Sequence, residues 1–195
     1  MEFIKIWLTG YYRPSKMVDL LESKPAPHWG IYAQLFRALL DSTLIYLPVF
    51  LMGRYPPTPS FLLFIPSEKY YFALIWITPL VLILILLVQS VVLHVLLRLG
   101  NVQSDIDQII NLIGFSALIV GAVLIPWDWF MYALGWTDQY LLGITHIIIS
   151  LWAVFIMVVG LRKLFSIPRW QAILLSIILI PVALPFSIMF MRAPF

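Results

Sequence analysis

The run from Phe72 to Leu97 constrains this chain more than any other stretch. FALIWITPLVLILILLVQSVVLHVLL holds no formally charged residue, and only Thr78, Pro79, Gln89, Ser90 and His94 interrupt its apolar character. As a helix rising about 1.5 Å per residue it would reach roughly 39 Å. The hydrocarbon core of a bilayer is about 30 Å thick, so the segment can cross with tilt to spare. Pro79 removes one backbone donor and is expected to kink the helix. A chain built around such a segment is a membrane protein.

Composition agrees. Hydrophobic residues make up 63% of the 195 residues and charged residues 11%, against about 25% charged in ordinary globular chains. The net charge of +3 is not gathered into the basic patch that nucleic-acid binding needs, so no nucleic-acid partner is expected. The basic residues flank apolar segments instead. With no cysteine, disulfides, thiolate zinc sites and thiol catalysis are excluded. Gly10, Arg13, Pro14, Lys16 and Asp19 break up any signal-peptide core in the first thirty residues.

The expected fold is an all-α membrane protein: a five-transmembrane-helix bundle with N-terminal amphipathic interfacial helices. Residues 1–30 form the lead-in. Phe3, Ile4, Trp7 and Leu8 sit at helical spacing around Lys5, and Gly10 is expected to end this helix. Pro14-Ser15 starts a second, with Met17, Leu20 and Leu21 opposite Lys16, Asp19 and Glu22. Residues 31–195 form the transmembrane domain, with spans at about 31–52, 72–98, 106–125, 140–161 and 170–191. GRYPPTPS (Gly53 to Ser60) is read as non-helical, and Phe61 to Pro66 as a loop dipping into the interface. Ser104 is the expected cap of the third span, and PWDWF its stop. Trp127, Trp129, Tyr132, Trp136 and Tyr140 form an aromatic belt. Gly143 and Gly160 are small residues suited to close helix approach.

Charge gives an orientation. With the N-terminus inside, the inner side holds Lys5, Arg13, Lys16, Lys24, Arg37, Arg98, Arg162, Lys163 and Arg169, and the outer side Arg54, Lys69 and Arg192. The basic excess favours N-terminus in and C-terminus out.

Ionisable residues inside spans are candidates for function. Asp41, placed about a third of the way in from the inner face, is expected to join Arg37, His94 and Asn111, with Gln89 and Asp107, in one polar layer near the inner leaflet. His146 falls nearer the outer face and apart from them. Arg37 and Asp41, four residues apart, can pair. The layer reads either as an ion- or proton-responsive site or as interhelical hydrogen bonding with snorkelling side chains. No metal-ligand spacing, nucleophile motif or phosphate loop is present. The expectation is therefore a protein that is not an enzyme and carries no cofactor or metal.

Ser90 to Gly121, SVVLHVLLRLGNVQSDIDQIINLIGFSALIVG, resembles the core of the Yip domain family, membrane proteins named for interaction with Rab-type GTPases. The family's G-Y-x-x-V-like element corresponds to Gly114, Phe115, Ser116, Ala117 and Leu118, with Phe115 in place of Tyr. Ala122 stands where the eukaryotic pattern has Pro. Gly160 to Lys163, and Ile-Pro-Arg-Trp-Gln-Ala before the fifth span, resemble prokaryotic members. The long N-terminal region with its D-L-Y-G-P motif has no counterpart here. The resemblance implies a prokaryotic-type member in a plasma membrane, and the expected role is that of a membrane-organising or partner-binding protein. The expected partners are membrane lipids, a protein at the cytoplasmic face, and further copies of the chain. The alternative is a small transporter or channel component using the polar layer.

Overall fold

The computed structural model describes residues 2–24, 26–56, 62 and 64–190, with the side chain of Gln139 excepted. Among them the helices are α1 (Glu2–Tyr12), α2 (Pro14–Glu22), α3 (His28–Asp41), α4 (Leu47–Leu51), α5 (Tyr70–Leu99), α6 (Ile106–Ala133), α7 (Gln139–Phe165) and α8 (Arg169–Phe190). A π turn, Ser42–Tyr46, joins α3 to α4. Five helical stretches are long and apolar enough to cross a membrane: His28–Leu51, Ser67–Leu99, Ile106–Ala133, Tyr140–Phe165 and Arg169–Phe190. The protein is thus all-helical and fits a multi-pass membrane protein.

α6 is the centre of the bundle. Of its most apolar stretch 72% is buried, against 22% for α7 and 17% for α8, whose outer faces carry exposed Ile144, Ile148, Leu174 and Ile177. The spans alternate in direction. Tyr70 at the start of α5 donates through its hydroxyl to the Phe190 carbonyl at the end of α8 (3.2 Å). At the opposite end a methyl group on Gly160 of α7 would overlap Leu112 near the start of α6. One end of the bundle therefore gathers Arg98, Arg162, Lys163 and Arg169, and the other the Trp127-to-Tyr140 aromatics. These are the basic end and the aromatic end below.

α3 and α6 run parallel and in register. Gly30 lies on Gly114, where a Cβ on either would overlap the other helix's backbone, and Arg37 lies along Gly121. Seven residues further, beside Asp128, the Trp129 indole Nε1 donates to the Leu44 carbonyl (2.7 Å). A seven-residue spacing keeps a seam on one face of each helix.

The prolines inside spans cost less than their missing donors suggest. Pro79 leaves the Ile75 carbonyl without its helical donor, and the Ser42 hydroxyl takes it at 3.0 Å. Pro48 frees the Leu44 carbonyl, which receives the Trp129 indole. Such borrowed donors are how lipid-embedded helices tolerate proline.

Several sequence expectations change. α1 does not end at Gly10. It continues to Tyr12, because the bare Cα lets the helix sit against Ile119 and Met17. The first span begins at His28, three residues early, since Asn111 supplies the acceptor for the Gly30 N–H. PWDWF does not stop α6, which passes through Pro126 to Ala133. Its N-cap is Asp105, whose carboxylate accepts from the Asp107 N–H (2.9 Å); Ser104 bonds elsewhere. Gly160 serves close packing as expected, whereas Gly143 faces open space. Of the loop before Ser67, residues 57–61 and 63 lie outside the described residues; Leu62 is buried with Val49, Tyr71 and Leu74.

α1 and α2 form a hairpin. Ile6, Met17, Val18 and Leu21 are fully buried in the same core as Leu112, Phe115, Ile119 and Leu161. Phe3 meets the Phe115 ring at 5.2 Å and the Phe36 ring at 6.0 Å. Lys163 of α7 pairs with Asp19 and donates to the Ser15 carbonyl (3.2 Å). Lys24 pairs with Glu2 (2.7 Å), joining the hairpin's two ends.

Candidate intramembrane polar site

The polar residues expected in one layer are spread along the bundle. His94 Nδ1 is 2.9 Å from the Ser104 hydroxyl, which ties α5 to the loop that follows it at the basic end. Asn111 accepts the Gly30 N–H at 2.7 Å and donates to the Ala26 and Lys24 carbonyls at 3.0 and 3.3 Å. Its amide thereby holds the link between hairpin and α3. Gln108, one turn earlier, donates to the Lys24 carbonyl at 3.2 Å. Gln89 donates to the Leu179 carbonyl of α8 at 2.9 Å. Asp107 stands at the first turn of α6, where its carboxylate favours the helix N-terminus.

Arg37 and Asp41 lie elsewhere. They form the expected ion pair, with Nε 3.6 Å from Oδ2. The register with α6 places Arg37 beside Gly121, about 22 Å from the start of that helix. Asp41 lies one turn further toward the aromatic end. The depth of a third expected for it is corrected by the anchoring of Gly30 on Asn111 and Gly114, which fixes α3 relative to α6.

The structure instead brings Asp41 toward the aromatic-end pair. Asp128 of α6 is 2.6 Å from His146 Nε2 of α7, and its side chain is 10% exposed against 36% for the imidazole. Asp41 lies one turn beyond the Arg37–Gly121 contact, and Asp128 lies two turns beyond Gly121 on the facing helix. An ion pair within α3, Arg37–Asp41, and a carboxylate–imidazole pair joining α6 to α7 thus lie toward the same end of the bundle. Arg37 Nε is buried without a hydrogen-bond partner among the described residues, so its link to Asp41 is chiefly electrostatic. Asp128 escapes a reading of the sequence because PWDWF reads as a loop. Its signal is the spacing Gly114, Gly121, Asp128, which puts it on the α3-facing seam.

Gly114, Phe115 and Ser116 are all buried within the bundle. Gly114 permits the α3–α6 approach, Phe115 is fully buried beneath Phe3, and the Ser116 hydroxyl donates to the Leu112 carbonyl of its own helix (2.7 Å). Among the described residues no group of three His, Asp or Glu side chains is placed to hold a metal. Comparison with protein-family models, curated proteins and solved structures found no match.

Proposed function

We propose that this is a Yip-type integral membrane protein that organises membrane or recruits a partner through its N-terminal hairpin, without enzymatic activity. One observation carries the reading: the hairpin is seated on α6 and α7 while Lys5, Arg13 and Lys16 face outward beside exposed Ile4, Leu8 and Tyr12. Apolar and basic groups side by side suit the headgroup region of an anionic leaflet. The resemblance over Ser90 to Gly121 supports the family. The basic excess at the hairpin's end supports N-terminus in and C-terminus out, and the resemblance to prokaryotic members implies a prokaryotic plasma membrane.

The test is hydrogen exchange on the full chain in nanodiscs with and without phosphatidylglycerol. Anionic lipid is expected to slow exchange across Glu2–Glu22, and replacing Lys5, Arg13 and Lys16 together by Gln to remove most of that effect, at about 1 kcal/mol per charge. Exchange indifferent to both lipid charge and the triple substitution contradicts the reading.

A second reading, a small transporter or channel component, is favoured by the ionisable pairs held within three of the spans, since such groups commonly mark ion pathways. Proteoliposomes under an imposed pH gradient test it. Flux removed by Asp128→Asn supports transport, and flux equal to protein-free vesicles goes against it.

A further inference from the structure

The α1–α2 hairpin fills only part of the seam between α3–α4 and α6. Beside α1 the seam opens as a groove of about 790 Å³, within the range of small-molecule pockets. Trp7 and Tyr11 form its floor, Leu40 and Leu44 one wall, Ala122 and Pro126 the other. Its two indole N–H groups are already engaged. Trp7 Nε1 donates to the Tyr11 hydroxyl (3.1 Å), and Trp129 Nε1 to the Leu44 carbonyl (2.7 Å). The lining offers an occupant mainly apolar contact, and exposed Leu8 and Leu44 open it to the lipid side.

The mouth differs in character. The Trp129 ring meets Tyr132 edge-on at 5.8 Å. Tyr132 in turn holds Arg54, whose Nη2 donates to its hydroxyl at 2.9 Å and whose guanidinium lies 5.4 Å from its ring centre. Arg54 is exposed at the aromatic end, and no ion pair among the described residues uses it. The groove's lining ends at Trp129, and the Trp129–Tyr132–Arg54 contacts set an exposed guanidinium beyond that end; an apolar slot with a cation past one end matches one class of molecule, with hydrocarbon at one end and phosphate at the other. A guanidinium presents several donors to phosphate oxygens. The π turn at Ser42–Tyr46 lies in the Leu40–Leu44 wall, and such turns are frequent at functional sites.

We propose that this groove is a phospholipid site: an acyl chain from the leaflet at the aromatic end lies between Leu44 and Pro126, and its phosphate meets Arg54. The proposal rests on the chain crossing a membrane and is independent of what the hairpin binds.

The experiment is native mass spectrometry of the purified full chain, with phosphatidylglycerol and diacylglycerol as probes. The wild type is expected to keep one phosphatidylglycerol through detergent exchange. Ala122→Phe, which fills the groove, should cut retention of both probes at least tenfold. Arg54→Gln should cut phosphatidylglycerol alone, about fivefold, the worth of one basic residue near a lipid phosphate. Gly143→Phe, on a surface facing open space, serves as control. If Ala122→Phe lowers the melting temperature, Leu44→Trp fills the groove from the opposite wall. Retention within twofold of wild type in a folded, groove-filled variant overturns the site. So does retention of phosphatidylglycerol unchanged by Arg54→Gln, or a photo-crosslinker at Pro126 capturing a second protein chain instead of lipid.

Discussion

The Ser42 hydroxyl donates to the Ile75 carbonyl at 3.0 Å, and that carbonyl is the one Pro79 leaves without a helical donor. Ser42 is buried, and no bulk water is available to replace it. Ser42→Ala is therefore expected to lower stability by about 1–3 kcal/mol, the cost of a buried unsatisfied acceptor. In a Pro79→Ala background the helix regains its own N–H donor to that carbonyl, and the same substitution should cost much less. Thermal unfolding in detergent checks the cycle, and equal losses in both backgrounds would show that the bond does not compensate for the proline.

Glycine substitutions should separate by position. Gly30→Ala and Gly114→Ala each force a methyl group into the opposing backbone, with a loss of about 1–3 kcal/mol expected for overpacking. Gly143→Ala meets nothing within 4 Å and gains helix propensity, so it should be neutral or stabilising by up to about 1 kcal/mol. A melting series on the three variants decides the order.

Much of this fold is legible in the sequence, because uncharged runs such as Phe72–Leu97 leave few alternatives. The Pro14 helix start and the Arg37–Asp41 pair follow from local spacing. What spacing within one segment does not give is register between segments. By sequence Asn111 is one more member of a polar layer; in the structure Gly30 is docked on it. That docking shifts Asp41 away from His94 and toward Asp128. Proline also misleads: Pro126 reads as a stop in isolation, yet α6 continues through it to Ala133.

The displaced site gives a paired prediction. Asp128→Asn and His146→Gln should be non-additive, with a coupling of about 0.5–3 kcal/mol, as expected of groups in contact. Asp41→Asn and His94→Gln should be additive within about 0.5 kcal/mol, because His94 is bonded to Ser104 at the other end of the bundle. Coupling of the second pair and not the first would reverse the assignment.

The hairpin should respond to acid. The hydrogen bond and charge of Lys24 hold the Glu2 carboxyl below its ordinary value of 4.5. A carboxylate lowered on folding contributes above its unfolded value and loses that contribution as pH falls through its folded one. Protection from exchange at the Glu2 end of α1, taken relative to the intrinsic rate at each pH, should therefore fall below about pH 4.5. Glu2→Gln should flatten this dependence without changing the melting of the spans.

Topology offers the most direct measurement. The chain has no cysteine, so single cysteines at Lys16, Asn101 and Thr137 can each be probed alone with a membrane-impermeant maleimide on intact cells. The account expects Thr137→Cys, in the aromatic-end loop, to react in intact cells, and Lys16→Cys and Asn101→Cys to react only after permeabilisation. Reaction of Lys16→Cys and Asn101→Cys from outside, with Thr137→Cys protected, would invert the protein and remove its hairpin from the inner leaflet. Reaction of all three from one side would contradict the five-span bundle itself.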